Sequence, residues 1–417
     1  MKVIKRDGRV KEFDFRRISE AIKKAYDEVY DMWGDEQEQE SVMDDIFSVI
    51  SSAEEEYFSV EDIQDIIIDT LKNYNKDVAM AYSEYREERQ RVRDYNTDTY
   101  KKIYKILNCS DVLNSNANVD ENSFGGRKFE IAGTIMKKIA LEKIVNEDVA
   151  KAHLGNRGYI HDLDSLSNGM SNCSFVDMRR LLTNGFSTRN GDVRGANSVS
   201  TAMQLVAVIF QVQSQDQYGG VGTVHIDYDL EPFVNMSFRK YLSNALYYFN
   251  GVEINHKDLP EEDNVENIEV VKQKYSEKII SYALRELEKE GTQSAQGLYH
   301  NLNTLESRPG SQVPFTSVNF GRRTTVAGRM VSKWLMKASI DGIGRHHRTS
   351  IFPISIFQYK KGINDKEDTQ NYDLKKLAIE SMSKRIYPNW VNCNWSNNVE
   401  DENNPDTVMA TINKLVA

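Results

Sequence analysis

The thiol of Cys173 is the first side chain whose position suggests chemistry. It lies in a polar run between Asn172 and Ser174, twelve residues after His161. A thiolate is a nucleophile and a metal ligand, so a cysteine in a polar run could carry chemistry. A lone cysteine is more often an inert core residue, and the pair His161-Asp162 could equally be a structural contact. The segment alone leaves catalysis and packing both open.

A cluster of cations near the N-terminus could bind a phosphate. Its members are Lys5, Arg6, Arg9, Arg16 and Arg17. The Asp7-Gly8 pair between two short alternating runs is a strong hairpin signal, because both residues tolerate positive φ. A glycine turn lets the backbone approach a phosphate closely, and arginine pairs well with phosphate oxygens. A charged, solvated hairpin without a ligand is the alternative.

Two further segments could hold a polar or phosphorylated substrate. Residues 114–130 contain Asn114, Asn116 and Arg127, and form either an active-site loop or an ordinary surface loop. The run from Arg345 to Arg348 contains two adjacent histidines and precedes an apolar strand. Adjacent strand residues point to opposite faces, so these histidines cannot share one metal ion. A phosphate clamp is therefore favoured over a metal site, and a solvated loop remains the alternative.

The composition excludes several classes of protein. The chain has 417 residues and a net charge of −10, so we expect no broad binding to nucleic acid or to an anionic membrane. Its three cysteines, Cys109, Cys173 and Cys393, are widely spaced, which argues against a disulfide scaffold and leaves no predicted metal site. The N-terminus has no signal-peptide pattern, and the most apolar stretch is too short to span a bilayer. These features predict a cytoplasmic protein.

Residues 1–95 are predicted to form a small, mostly helical domain that begins with a β-hairpin. Apolar residues from Ile18 to Val29 recur at the three- and four-residue spacing of a helix. A second helix is predicted at 43–51, after an acidic loop at 35–40. Ser59 and Asp62 have the spacing of a capping box before a third helix. A fourth helix is predicted to begin at Lys76.

Residues 96–417 alternate helical stretches with short β-rich runs, which is typical of an α/β architecture. Four helices are predicted, at 131–145, 198–212, 272–290 and 373–386. The second is expected to be buried and the third exposed. Core strands are predicted at 313–320 and 350–359 because β-branched and aromatic residues are frequent there. The glycines after Tyr218 are expected to allow a tight connection from helix to strand.

The N-terminal segment resembles an ATP-cone domain. The runs VIKRDGRVKEFDFRRISEAIKKA, FSVEDIQDIIIDTL and AMAYSEYREERQR carry the resemblance in the family's order. It implies a four-helix unit with a hairpin lid that binds ATP or dATP as an allosteric effector. The implied nucleotide-binding residues are Val3, Lys5, Arg6, Asp7, Gly8, Arg9, Arg17 and Ile18. Arg17 stands where the family usually has lysine, so the charge is kept while the contact geometry changes.

The region from about 114 to about 394 resembles the N-terminal half of the class III (anaerobic) ribonucleoside-triphosphate reductase barrel. The resemblance lies in GYIHDLD, SNCSFVD, QVPFTSVNFG and YDLKKLAIESMSKRIYP. It implies part of a ten-stranded α/β barrel built from two five-stranded halves. It also implies reduction of ribonucleoside triphosphates to deoxyribonucleotides by radical chemistry, with an activase that uses S-adenosylmethionine. The family tends to form homodimers.

The resemblance also implies roles for particular residues. Cys173 matches the barrel cysteine that takes part in hydrogen transfer at the ribose 2′ position. His161 and Asn172 are implied to lie near the substrate. The pocket would also be lined by the segment that contains Asn114, Asn116 and Arg127. The charge of Arg345 and Arg348 indicates, independently of the family, that their loop holds the triphosphate.

The sequence departs from the family after the SKRIYP segment. It contains neither the Met-Gly-Cys-Arg finger loop nor the zinc-binding cysteine pairs nor the glycyl-radical segment. The glycyl radical and zinc are therefore expected only in a C-terminal part outside this sequence. We expect a complementary C-terminal chain if the gene is split, and no reductase activity from this chain alone. The alternative is a catalytically inert ATP/dATP-binding remnant or regulatory module.

The hairpin assignment predicts a loss of nucleotide binding when its cations are removed. Lys5→Ala/Arg6→Ala should weaken ATP and dATP binding at least about tenfold in titration calorimetry, because charge-assisted phosphate contacts are lost. Lys72→Ala, which removes another cation from the same 95-residue segment, is the control and should bind normally. Unchanged affinity in the double variant would count against the assignment.

Overall fold

The computed structural model of the protein describes residues 2–5, 9–30, 36–53, 57–95, 97–108, 123–169 and 171–395. The chain divides into two compact units, residues 1–105 and 106–417, and the domain boundary predicted after residue 95 lies shortly before this division. The predicted site residues Arg6, Asp7, Gly8, Asn114 and Asn116 lie outside the described residues. Within the described ranges, no helix has both the length and the apolar character needed to cross a membrane.

The first unit combines short strands with longer helices. In its described part these are β1 (Lys2–Ile4), β2 (Val10–Glu12), α1 (Arg16–Tyr30), α2 (Glu36–Ser52), β3 (Tyr57–Ser59), α3 (Val60–Tyr74) and α4 (Lys76–Tyr95). Helix α5 (Asp98–Leu107) follows and ends just beyond the division. The helices pack around one apolar cluster, in which Tyr26, Ile46 and Leu71 are fully buried.

The predicted hairpin and capping box are both confirmed. Strands β1 and β2 pair antiparallel, with Val3 opposite Lys11, and the Lys5 N–H donates to the Arg9 carbonyl at 2.8 Å. The Ser59 side chain and the Asp62 carboxylate each accept a hydrogen bond from the other's backbone N–H. Strand β3 pairs parallel with β1. It was not predicted, because it has only three residues and the sequence signal there is that of the helix cap.

The acidic loop predicted at 35–40 is wrong from Glu36 onward, because helix α2 already begins there. Glu36 and Glu38 lie in its first turn, where the helix dipole stabilises negative charge. Tyr26 adds a tertiary contact by donating its hydroxyl to Glu38 at 2.8 Å. Acidic composition at this place therefore marks the start of a helix.

The second unit is an α/β structure. Its described helices are α6 (Phe124–Ile139), α7 (Glu147–Leu154), α8 (Met178–Asn184), α9 (Val199–Gln213), α10 (Ile226–Asn250), α11 (Ile268–Lys274), α12 (Glu277–Thr304), α13 (Val326–Asp341) and α14 (Tyr372–Arg385). Its described strands are β4 (Ser174–Phe175), β5 (Phe186–Thr188), β6 (Gly191–Val193), β7 (Val221–Thr223), β8 (Thr316–Phe320), β9 (Ile354–Tyr359) and β10 (Asn389–Asn392). A π-helical turn, Ala140–Ile144, extends α6.

Five of these strands form one parallel sheet, and β5 and β6 form a separate hairpin. The order of the sheet is β10-β9-β8-β7-β4, and every neighbouring pair is parallel. Each crossover between β4 and β10 contains at least one helix, as parallel strands require. A five-stranded parallel sheet is what one half of the predicted ten-stranded barrel needs, and the predicted α/β fold class is confirmed.

The two faces of the parallel sheet differ in character. One face contributes Val318, Phe320 and Phe357 to the large core formed with the helices, so we call it the helix-covered face. The opposite face carries Ser317, Asn319 and Gln358 in addition to a small apolar cluster. All three of these polar side chains are buried, and each has a side-chain oxygen without a hydrogen-bond partner among the described residues.

Two predicted elements of the second unit require correction. The exposed helix predicted at 272–290 is two helices, α11 and α12, and α12 buries Ile279, Ala283 and Leu287 in the core. Tyr275 adopts an extended conformation between them and donates its hydroxyl to Asp263 at 2.7 Å. The long crossover helix is therefore a core element.

The other correction concerns the start of α6. The segment 114–130 was predicted to be a loop, but its described C-terminal part is helical from Phe124. Ser123 caps this helix by accepting the Gly126 N–H at 3.0 Å. A serine at the N-cap can start a helix despite the two glycines that follow.

The close contact between α12 and α13 generates a stability prediction. A Cβ atom at Gly291 would lie 2.3 Å from the buried Trp334 ring, whereas a Cβ at Gly297, in the same helix, would meet no atom within 4 Å. Gly291→Ala should therefore destabilise the protein by about 1–3 kcal/mol through overpacking. Gly297→Ala should instead stabilise it by up to about 1 kcal/mol, because alanine favours helix. Urea denaturation of both full-length variants tests this, and equal effects would contradict the packing.

Candidate active site

Cys173 lies immediately before β4, at the amino end of the parallel sheet. Its side chain is exposed, its thiol donates to Asn172 Oδ1 at 3.2 Å, and its sulfur accepts the Gly220 N–H at 3.3 Å. Since all five strands run parallel, the segments that precede β7, β8, β9 and β10 approach the same end of the sheet. Residues distant in sequence can therefore meet a substrate beside this thiol.

The segment 214–220, between α9 and β7, packs directly against the cysteine segment. The Gly219 N–H donates to the Asn172 carbonyl at 2.7 Å, and a Cβ at Gly219 would lie 2.1 Å from Asn172 Oδ1. Gln217 is buried and accepts the Ser174 hydroxyl at 2.5 Å while its amide donates to the Gly220 carbonyl at 2.6 Å. The predicted tight connection is confirmed, and its glycines serve close approach to the cysteine segment.

Arg308 holds the 214–220 segment in place. Its guanidinium donates to the Ser214 and Gln217 carbonyls at 2.7 and 2.5 Å. It also donates to the Tyr218 and Gly219 carbonyls at 3.1 and 3.2 Å. Burial lowers the pKa of the Arg308 guanidinium, and the negative charge of Asp162 opposes that shift. Asp162 is therefore close enough to act electrostatically on the Arg308 guanidinium, which holds the segment that contacts Cys173.

His161 forms a short contact with Asp162, but the described residues show no hydrogen bond between His161 and Cys173. The His161 Nδ1 lies 2.5 Å from Asp162 Oδ2, and the His161 side chain is 79% exposed. Asp162 adopts a positive φ of 50°, which aspartate tolerates better than most residues. The pair is thus an exposed imidazole whose Nδ1 is held by the neighbouring carboxylate.

The start of α6 approaches the same region through the turn that follows Arg308. A Cβ at Gly125 would lie 3.0 Å from Pro309 Cβ, so this glycine allows the helix to pack on the turn. Arg127 lies in the first turn of α6, and Lys128 lies over the Phe124 ring at 4.3 Å. The predicted pocket residue Arg127 therefore belongs to an element that touches the Arg308 turn.

The basic loop with Arg345 and Arg348 lies between α13 and β9, also at the amino end of the sheet. Ile343 and Arg348 exchange two backbone hydrogen bonds of 2.8 and 3.0 Å, which close the loop. Arg385, at the end of α14, also holds the loop by donating to the His347 carbonyl at 2.6 Å. Arg345 and Arg348 are exposed at the surface of the loop. The structure thus places two cations and the cysteine at one end of the sheet.

The carboxyl end of the sheet contains a different polar cluster, which the sequence did not predict. A cavity of about 180 Å³ is lined there by His225, Asp227, Arg322 and Gln358, among others. Burial raises the pKa of Asp227, although its carboxylate accepts the Gly321 N–H at 2.8 Å. Burial disfavours protonated His225, but the nearby Asp229 and Asp227 carboxylates together outweigh this and raise the pKa of His225.

Glu231 ties this carboxyl-end cluster together. Its carboxylate pairs with Arg323 at 2.7 Å and with Arg179 at 3.5 Å, and both guanidinium groups lie over the Tyr228 ring. Buried charges with several partners of this kind are typical of a fixed structural network. The described residues contain no group of three or more His, Cys, Asp or Glu side chains arranged to hold a metal ion.

The predicted effector residues of the first unit fall into two groups. Val3 and Ile18 are buried in the core of the unit and hold the hairpin and α1 in place. Lys5 and Arg9 lie on the hairpin, and the exposed Arg17 lies 3.9 Å from Asp14. The hydrogen bond from Arg16 lowers the pKa of Asp14, so this carboxylate remains charged beside the cations.

The sequence did not single out Arg308 or Gln217. Arg308 precedes Pro309-Gly310, a turn signal that gives no indication of what its guanidinium contacts. Its four carbonyl acceptors lie about 90 residues earlier in the chain. Only the tertiary structure shows that these groups meet.

Family models match both parts of the chain. A model described as "ATP cone domain" matches residues 1–91, and the model of the anaerobic ribonucleoside-triphosphate reductase matches residues 115–411. The second match covers well over half of the chain. The chain therefore belongs to the anaerobic ribonucleoside-triphosphate reductase family and carries an ATP-cone domain.

Curated relatives extend the similarity to nearly the whole chain. The anaerobic ribonucleoside-triphosphate reductase of Haemophilus influenzae is 33% identical over 394 residues, which are 94% of this chain and 52% of the relative. That of Escherichia coli is 30% identical over 94% of this chain and 51% of the relative. The chain thus spans about half the length of these relatives. The anaerobic ribonucleotide reductase of Thermotoga maritima, solved with dATP in its specificity site, aligns at TM-score 0.45 and 14% identity over 86% of this chain and 51% of its own.

The two described cysteines should differ strongly in reactivity. Cys173 is exposed, whereas burial raises the pKa of Cys393 to about 11. Since the thiolate is the reactive form, iodoacetamide at about pH 8 should modify Cys173 at least about tenfold faster than Cys393. Peptide mass spectrometry resolves the two sites, and the difference should disappear in urea. Equal rates in the folded protein would contradict the placement of Cys393.

Proposed function

We propose that this chain takes part in the anaerobic reduction of ribonucleoside triphosphates to deoxyribonucleoside triphosphates, with Cys173 as a catalytic residue. The observation that carries the proposal is the exposed thiol of Cys173 at the amino end of a parallel sheet, in a chain whose family reduces ribonucleotides. The match over residues 115–411 favours this function over an inert nucleotide-binding remnant.

The surroundings of Cys173 suit transfer of a hydrogen atom from its thiol to a ribose carbon radical, which the radical-bearing part of the reductase outside this sequence would generate. In this step the S–H bond breaks as a C–H bond forms, and the unpaired electron passes from carbon to sulfur. The sulfur is accessible and is oriented by Asn172 and by the Gly220 N–H. A held thiol avoids the entropic cost of orienting it during the reaction. Asn172 and His161 are the proposed neighbours of the ribose.

The cations at the same end of the sheet are the proposed triphosphate site. The Arg345–Arg348 loop precedes β9, and β9 lies three strands from the strand that follows Cys173. At the usual strand spacing this separation is about 14 Å, comparable to the length of an extended nucleoside triphosphate. Arg127, at the start of α6, is the third proposed phosphate contact, with Asn114 and Asn116 in the segment before it. Arginine suits this role because it binds phosphate through two parallel hydrogen bonds.

The ATP-cone domain is the proposed regulatory part. Lys5, Arg6, Arg9 and Arg17, with the Asp7-Gly8 turn, would bind ATP or dATP as the effector, while Val3 and Ile18 hold the hairpin against the core.

The proposed partners are an activase that uses S-adenosylmethionine, a chain that carries the rest of the reductase if the gene is split, and a second copy in a homodimer. The glycyl radical and zinc would belong to the part of the reductase outside this sequence. The cytoplasm is the proposed location.

Replacement of Cys173 tests the proposal. Cys173→Ser should reduce deoxyribonucleotide formation at least about 1000-fold, because an O–H bond is too strong to exchange hydrogen with a carbon radical. The assay combines the chain with the activase and the complementary reductase chain. Cys393→Ala is the matched control and should retain activity, since this buried thiol bonds to the Val391 carbonyl at 3.9 Å and packs in a small apolar cluster with Ile356 and Val391. Full activity in Cys173→Ser would contradict the proposed role.

A further inference from the structure

We propose that Arg308 is a positioning residue, which holds the 214–220 segment so that the Gly220 N–H stays on the Cys173 sulfur. The inference rests on the proposed function of Cys173 and adds a residue to its site. Arg308 is a half-buried arginine that forms no ion pair among the described residues. Its guanidinium hydrogen bonds go to four carbonyls of one segment, with one longer contact of 3.5 Å to Gln312 Oε1.

An arginine used only for packing would not need this arrangement. A guanidinium has five N–H donors in a fixed fork, so it can bind several carbonyls only if their backbone curves around it. Residues 214–219 provide that curve, because α9 ends at Gln213 and the chain turns back toward β7. Arg308 therefore fixes the shape of the segment.

The segment then transmits its position to Cys173 through short contacts. The Tyr218 N–H donates to the Ser171 carbonyl at 3.2 Å, and the Gly219 N–H donates to the Asn172 carbonyl at 2.7 Å. The next N–H, of Gly220, reaches the cysteine sulfur. These three consecutive donors follow the cysteine segment residue by residue. A shift of the 214–220 segment would therefore move the hydrogen bond on sulfur.

Gln217 is the other residue that could hold the 214–220 segment, but its contacts differ from those of Arg308. Its side chain bonds to Ser174 and to the Gly220 carbonyl, which fixes the start of β4 to the start of β7. Arg308 binds the carbonyls of residues 214, 217, 218 and 219, which lie before that junction. Gln217 thus fixes the strands, and Arg308 fixes the approach to them.

Two substitutions separate the charge of Arg308 from its geometry. Arg308→Gln removes the charge and most donors, and Arg308→Lys keeps the charge but cannot bind four carbonyls. Arg329→Gln is the matched control, because Arg329 is a partly buried arginine that bonds to Gln370, Asn371 and Asp373 instead. All are made in the full chain, and only variants with a wild-type circular dichroism spectrum are compared.

The first readout is amide hydrogen exchange. In both Arg308 variants, exchange at Tyr218, Gly219 and Gly220 should rise at least about tenfold, because their donors are no longer held against the cysteine segment. Exchange in α12 should stay at the wild-type rate, and Arg329→Gln should show no change at 218–220.

The second readout is the pH profile of Cys173 alkylation by iodoacetamide, which requires no reductase activity. Cys173 is already exposed, so access does not limit its reaction. Without the Gly220 N–H the sulfur loses a contact that orients it, so the rate at about pH 8 should change at least about threefold in both Arg308 variants. A purely structural arginine would leave this profile unchanged.

Several outcomes would overturn the inference. They are wild-type exchange at 218–220 in both Arg308 variants, a wild-type alkylation profile in both, and an equal change in Arg329→Gln. If Arg308→Gln does not fold, Arg308→Lys alone decides between these outcomes. None of them affects the proposed function, which depends on the activity of Cys173→Ser. Conversely, an active Cys173→Ser would refute that function, but the effect of Arg308 on the 214–220 segment could still be measured.

Discussion

The parallel direction of all five strands in the main sheet is the constraint on which the second unit depends. It forces a helical crossover between successive strands and brings every strand start to one end of the sheet. Cys173 and the start of the Arg345–Arg348 loop are 172 residues apart in the sequence, with the Arg308 turn between them. All three lie at that end of the sheet. The chemistry proposed for the chain therefore follows from strand direction before it follows from any single contact.

The two ends of the sheet use charge differently. At the carboxyl end, buried carboxylates such as Asp227 and Glu231 are matched by backbone N–H groups and by arginines, so the charges hold each other. At the amino end, Arg308 donates its hydrogen bonds mainly to backbone carbonyls, with the negative charge of Asp162 acting on it electrostatically, and Arg345 and Arg348 are exposed. Exposed positive charge at the same end of the sheet as an accessible thiol is suited to an anionic substrate. The opposite face of the sheet adds buried polar atoms that lack partners among the described residues.

Local signals in the sequence predicted the hairpin, the Ser59 capping box, the buried α9 and the α/β class, because each depends on residues close together in the chain. The exposed helix expected at 272–290 was wrong, since composition does not show that α12 crosses the core. The family resemblance identified Cys173, but it did not identify the residues that surround the thiol. Arg308 and Gln217 could not be inferred, because their partners are fixed only when β4, β7 and the 307–312 turn come together.

We propose that the substrate binds at the amino end of the sheet. A crystal structure of the chain with a ribonucleoside triphosphate bound would test it most directly. We expect the ribose within about 4 Å of the Cys173 sulfur, in van der Waals contact, with the phosphates toward Arg345 and Arg348. A nucleotide bound instead at the carboxyl end, between His225 and Arg322, with none at the amino end, would contradict it.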